Sequence, residues 1–112
     1  MNVGHKVFID NPEIEAAVRK DITLNIAFTT LENFIKQRLA LLKDEIDKEE
    51  SLSPNNMPCT IIRLYNDDIQ PKGILFVGYS KELRDRMKAS FGSNDFNFIS
   101  QQIENMISAI NN

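Results

Sequence analysis

A long stretch without helix-breaking residues is the feature that most limits what this chain can fold into. From Glu13 to Ser53 the sequence contains neither glycine nor proline. Apolar residues recur through this stretch at intervals of three and four, which keeps them on one side of an α-helix for about six turns: Leu24, Phe28, Leu31, Ile35, Leu39, Leu42 and Ile46. The stripe predicts a long amphipathic helix with Ile35 in the core.

The first part of this stretch also fits a β-strand. Ile22, Leu24, Ile26 and Phe28 alternate with polar or small residues, and the sequence TTLE at 29–32 fits a capping box that would start a helix only there. Helix and strand therefore both stay open for residues 22–28. If the segment is helical, Ile22 and Ile26 lie opposite the apolar stripe, and a helix with two apolar faces needs two partners. We therefore predict that Ile22 and Ile26 form a self-association surface.

Turn and capping residues divide the chain before and after the long stretch. Residues 3–9 predict a short strand. Asp10 or Asn11 suits a helix N-cap and Pro12 the first helical position, so a helix is predicted to begin near Pro12. Residues 51–58 contain two prolines, two asparagines and two serines, which predicts a mobile loop.

Two strands and two helices are predicted after this loop. Residues 59–65 and 74–79 are apolar and separated by turn residues, which predicts a β-hairpin with Phe76 in the core. Ser80 is expected to cap a helix over 81–90, and the 3- and 4-residue spacing after position 93 predicts a last amphipathic helix. The sequence thus predicts a single domain, 1–112, of the α+β class. Its order is helix, long helix, β-hairpin, helix, helix, with the helices packed over a small antiparallel sheet.

Composition argues against several protein classes. Thirteen basic and sixteen acidic residues give a net charge of −3, whereas a domain that binds the phosphate backbone is usually clearly basic. The chain has one cysteine, Cys59, which cannot form an internal disulfide or a cysteine-rich zinc site. No apolar run approaches the roughly 18 residues of a membrane span, and the first residues lack the apolar stretch of a signal peptide. We therefore expect a cytoplasmic protein with no membrane contact.

Few residues offer catalytic or metal-binding chemistry. The chain has one histidine, His5, and Cys59 begins a predicted strand with Arg63, its nearest base in sequence, four positions away. The acidic residues between 44 and 50 are mixed with lysines, as on a solvated helix face, and lack the spacing of a calcium loop. No glycine-rich nucleotide loop is present in the sequence. We predict no catalytic residue, no metal site and no cofactor.

Two functions remain as predictions. The first is a small, acidic, non-enzymatic regulatory protein (an inhibitor, adaptor or chaperone) that binds a macromolecular partner, above all a protein, as a homodimer. The alternative is binding of nucleic acid or a small phosphorylated ligand, because Lys81, Arg84 and Lys88 form one row on a helix. Glu82 and Asp85 are interleaved with that row, which favours an ordinary solvated face.

Overall fold

Helices make up most of the structure. The computed structural model describes residues 7–52, 60–63, 73–76 and 79–111. Within these ranges lie five α-helices and one turn of 3-10 helix, Ala40–Leu42: α1 (Pro12–Val18), α2 (Ile22–Arg38), α3 (Lys43–Leu52), α4 (Lys81–Ala89) and α5 (Ser93–Asn111). The described strands are short: β1 (Val7–Ile9), β2 (Thr60–Arg63) and β3 (Gly73–Phe76). None of the helices described has the length and apolar character needed to cross a membrane.

The strands pair in the order β1-β2-β3. β1 runs parallel to β2, with Val7 opposite Thr60, whereas β2 and β3 are antiparallel, with Thr60 opposite Phe76. A parallel pair needs a long crossover connection, and the segment that contains α1, α2 and α3 provides it.

The predicted α+β fold with helices over a small antiparallel sheet is wrong. The chain is mostly helical, and α1, α2 and α5 contact one another and bury their apolar sides mutually. The described strands have only three or four residues each, and β1 joins β2 in the parallel direction. The signals that predict a hairpin are local in the sequence. They therefore do not show that helices far apart in the chain pack against each other.

Capping side chains decide where the first two helices begin. Asn11 Oδ1 accepts hydrogen bonds from two backbone N–H groups of the first turn of α1, at 2.9 and 3.2 Å, which confirms the helix start predicted near Pro12. Asp21 Oδ1 accepts a hydrogen bond from the Leu24 N–H at 3.0 Å and starts α2. Residues 22–28 are therefore helical, and the strand interpretation of this segment is wrong.

The predicted long helix is interrupted once: after Leu39 the chain tightens into the 3-10 turn, and α3 follows. The apolar stripe nevertheless stays inside: Leu24, Leu31, Ile35, Leu39, Leu42 and Ile46 are buried, and Phe28 is half-buried. The predicted loop at 51–58 overlaps the last two residues of α3, and its remaining residues lie outside the described ranges.

The last two helices lie where the spacing predicts them. Ser80 Oγ accepts a hydrogen bond from the Leu83 N–H at 3.2 Å and caps α4, and α5 begins at Ser93. Their apolar sides contribute six residues to the core: Leu83, Met87, Phe91, Ile99, Ile103 and Met106. Phe76 is buried as well, as predicted.

Candidate interaction surface

Ile22 and Ile26, the two residues predicted for self-association, are exposed in the N-terminal half of α2. Their exposed fractions are 78% and 63%. They lie one turn apart, on the side of the helix opposite the fully buried Leu31 and Ile35. Burying an isoleucine side chain contributes about 1.5–3 kcal/mol, so a partner that covered both would gain a substantial apolar contribution.

The most exposed residues of α2 are uncharged. Its eight exposed residues are isoleucine, threonine, asparagine or glutamine: Ile22, Thr23, Asn25, Ile26, Thr29, Thr30, Asn33 and Gln37. The charged residues of this helix are half-buried and paired, Glu32 with Lys36 at 4.0 Å and Arg38 with Asp95 at 3.0 Å. Because 26% of the whole chain is charged, a helix side without exposed charge is unusual here. Depletion of charge is typical of the centre of protein interfaces.

The exposed side of α5 is also uncharged. Its nine exposed residues are Ser93, Asn94, Asn97, Phe98, Gln101, Asn105, Ser108, Ala109 and Asn111. α2 and α5 are antiparallel neighbours, because the Phe34 and Phe98 rings lie 4.6 Å apart while Arg38, further along α2, binds Asp95, earlier in α5. We call the exposed residues of these two helices the uncharged face.

One ion pair fixes α5 against α2. Arg38 Nε and Nη2 donate to the two carboxylate oxygens of Asp95, both at 3.0 Å, and the guanidinium carbon lies 4.5 Å from the centre of the Phe34 ring. Asp95 also accepts a hydrogen bond from the Gly92 N–H at 3.0 Å. The hydrogen bonds from Arg38, and then that from Gly92, hold the pKa of Asp95 below its usual value. The hydrogen bond to Asp95 in turn raises the pKa of Arg38.

The predicted row of Lys81, Arg84 and Lys88 lies on α4, but its charges are not all free. Lys81 Nζ is 3.1 Å from Asp85, as the alternation of signs suggests. Arg84 is half-buried, and Lys88 is exposed. Tyr79, which would have to be exposed to stack on a nucleotide base, is buried. Within the described ranges, the row thus offers two cations without an ion-pair partner, which weakens the case for phosphate binding.

Acidic residues of α3 contact the beginning of α4 instead of forming a purely solvated face. Both the backbone N–H and the hydroxyl of Ser80 donate to one of these carboxylates at 2.7 Å. A second carboxylate belongs to Glu50, which is only 6% exposed, and accepts a hydrogen bond from a tyrosine hydroxyl at 2.5 Å. The pairs are Glu45 with Arg86, Glu49 with Ser80 and Glu50 with Tyr79. The sequence shows that the carboxylates are one turn apart, but it does not show which element they meet.

The remaining candidate residues give no further site. His5 and Cys59 lie outside the described residues. In the ranges that are described, no group of three or more histidine, cysteine, aspartate or glutamate side chains is arranged to hold a metal ion.

Comparison with known proteins identifies no family. No protein-family model, curated protein or solved structure matches this sequence. The uncharged face is therefore the feature from which a function has to be inferred.

Proposed function

We propose that this chain is a non-enzymatic interaction protein that forms a homodimer through the uncharged face and, as a dimer, binds a macromolecular partner, above all a protein. The observation that supports this most is the exposure of Ile22 and Ile26 on two helices whose most exposed residues are uncharged. We also propose a cytoplasmic location, which the single cysteine supports, because disulfides form mainly in other compartments.

A second copy is the occupant that the charges favour. Each copy carries a net charge of −3, so two copies repel each other over most of their surface. This repulsion is smallest across the uncharged face, where the nearby charges of Glu32 and Arg38 already have partners. Asparagine and glutamine side chains both donate and accept hydrogen bonds, so an amide-rich face is complementary to itself across a two-fold axis.

The size of the uncharged face is sufficient for a weak dimer. α2 and α5 have 17 and 19 residues, and about 1.5 Å per residue makes them roughly 26 and 28 Å long. With axes about 8–10 Å apart, two such helices present a surface of roughly 500 Å². Specific interfaces begin at about 600 Å² per partner, so we expect a dissociation constant in the micromolar range or weaker.

Sedimentation equilibrium over micromolar to near-millimolar chain concentrations tests the proposal. The parent should be a concentration-dependent dimer whose dissociation constant changes little with salt, because its interface is uncharged. Ile26→Glu places two like charges near the two-fold axis and should leave the chain monomeric at every concentration. Since Ile26 is 63% exposed, the circular dichroism spectrum of the variant should match that of the parent.

Leu41→Glu is the matched control. Leu41 is 98% exposed and lies in the 3-10 turn, outside both helices of the uncharged face, so the substitution makes the same chemical change elsewhere. This variant should dimerise like the parent. A parent that stays monomeric throughout, or an Ile26→Glu variant that dimerises as tightly as the parent, would overturn the proposal.

A further inference from the structure

A small apolar cavity, partly open to solvent, lies where β1, α1 and α2 meet. Its volume is about 170 Å³. Buried aliphatic side chains form its walls: Val7 and Ile9 from β1, and Ile14 and Val18 from α1. No residue of the uncharged face lines it, so it is separate from the proposed dimer interface.

Two phenylalanines and one ion pair complete the lining. Phe8 from β1 and Phe28 from α2 are both half-buried. Arg19 Nη2 lies 3.2 Å from Glu15 Oε1, and both side chains are largely in solvent. Because these two charges neutralise each other, the residues that line the cavity present hydrocarbon and no unpaired charge to an occupant.

We propose that this cavity binds a small, uncharged, apolar molecule, such as an aromatic ring or a branched hydrocarbon of about six or seven non-hydrogen atoms. Hydrocarbon walls favour such an occupant: an engineered protein cavity of about 150 Å³ with leucine, isoleucine and phenylalanine walls binds benzene or xenon. Water gains few hydrogen bonds from such walls, whereas an apolar occupant gains dispersion contacts with all of them. The proposal depends on the cavity alone and is independent of dimer formation.

Benzene is the probe, and amide chemical shifts of the isotope-labelled full chain are the readout. We expect saturable shifts at residues 7–9, Ile14 and Val18. Val18→Leu adds a methylene group to the cavity wall and should weaken benzene binding by about threefold, because the added group narrows the space for the ring. Ala16→Leu is the control on the same helix: Ala16 is exposed on the outer side of α1, so this variant should bind benzene like the parent.

Two results would overturn the proposal. One is the absence of saturable shifts up to the solubility limit of benzene. The other is unchanged binding in Val18→Leu, which would assign benzene to another place, such as the shallow depression around Ala16 and Lys20. If circular dichroism shows that Val18→Leu does not fold, Val7→Ile fills the same cavity from β1 and replaces it in the experiment.

Discussion

Replacing Tyr79 by phenylalanine removes one hydroxyl group and leaves the ring in place. In the structure this hydroxyl donates to Glu50 Oε2 at 2.5 Å, and the two residues are 8% and 6% exposed. Little water can therefore reach this carboxylate oxygen. The substitution removes the hydrogen bond that joins α3 to the residue before the N-cap of α4.

The expected loss of stability follows from the charge of the acceptor. Hydrogen bonds to charged groups contribute about 1.5–3 kcal/mol, and the larger values apply where a buried group loses its partner. We expect Tyr79→Phe to lower the free energy of unfolding by about 2 kcal/mol. For a domain of this size, that corresponds to a fall in Tm of roughly 8 °C.

A double-mutant cycle with Glu50→Met separates the hydrogen bond from the packing of the ring. Methionine has a similar length and carries no charge, so it does not require a donor. In urea unfolding followed by circular dichroism, Tyr79→Phe should cost less than about 0.5 kcal/mol in the Glu50→Met background, giving a coupling energy of about 1.5 kcal/mol. A coupling energy below about 0.5 kcal/mol would refute the reasoning, because ring packing would then account for the effect of Tyr79→Phe.

Three further predictions concern the ion pair, the core and the row on α4. The hydrogen bond from Arg38 lowers the pKa of Asp95 in the folded protein. The contribution of this carboxylate to the stability of the folded state is therefore fully present above the unfolded-state pKa and is lost as the pH falls through the folded-state pKa. In thermal melts between neutral and acidic pH, the Asp95→Asn variant should lack the part of the fall in Tm that protonation of Asp95 causes. If the Tm of the variant depends on pH as that of the parent does, Asp95 does not make this contribution. Ile35→Asp puts a charge at a fully buried position and should unfold the domain, so a parent-like melt by circular dichroism would exclude Ile35 from the core. If α4 binds phosphates, the double variant Arg84→Glu, Lys88→Glu should lose binding of a short oligonucleotide and still form the dimer. Oligonucleotide binding that the variant retains in a fluorescence titration would exclude the row on α4 as the phosphate-binding site.

Local signals were enough to predict most of the helices. Asn11 and Ser80 have the side chains that cap helices, and both cap one in the structure. The spacing of Ile99, Ile103 and Met106 marked the side of α5 that is buried. Asp21 carries the same kind of signal for the start of α2, and the prediction did not use it.

The contacts between segments that are distant in the chain could not be predicted from the sequence. The parallel pairing of β1 with β2 and the packing of α1 on α5 join residues that no short pattern relates. The same holds for Glu50 and Tyr79, which are 29 positions apart. The uncharged face was predicted only in part. The sequence indicates the surface at Ile22 and Ile26, whereas the contribution of the exposed residues of α5 is known only from the structure.

The contact between α1 and α5 has a consequence for how the protein is made. α1 ends at Val18, and α5 begins at Ser93, so the ribosome adds about 75 residues between them. At roughly 5–20 residues per second, some 4–15 s pass between the synthesis of α1 and that of the helix that packs against it. During that interval the apolar sides of α1 and α2 are open to solvent. The emerging chain is thus most vulnerable to aggregation late in its synthesis, and translation that stalls before α5 should yield an insoluble product.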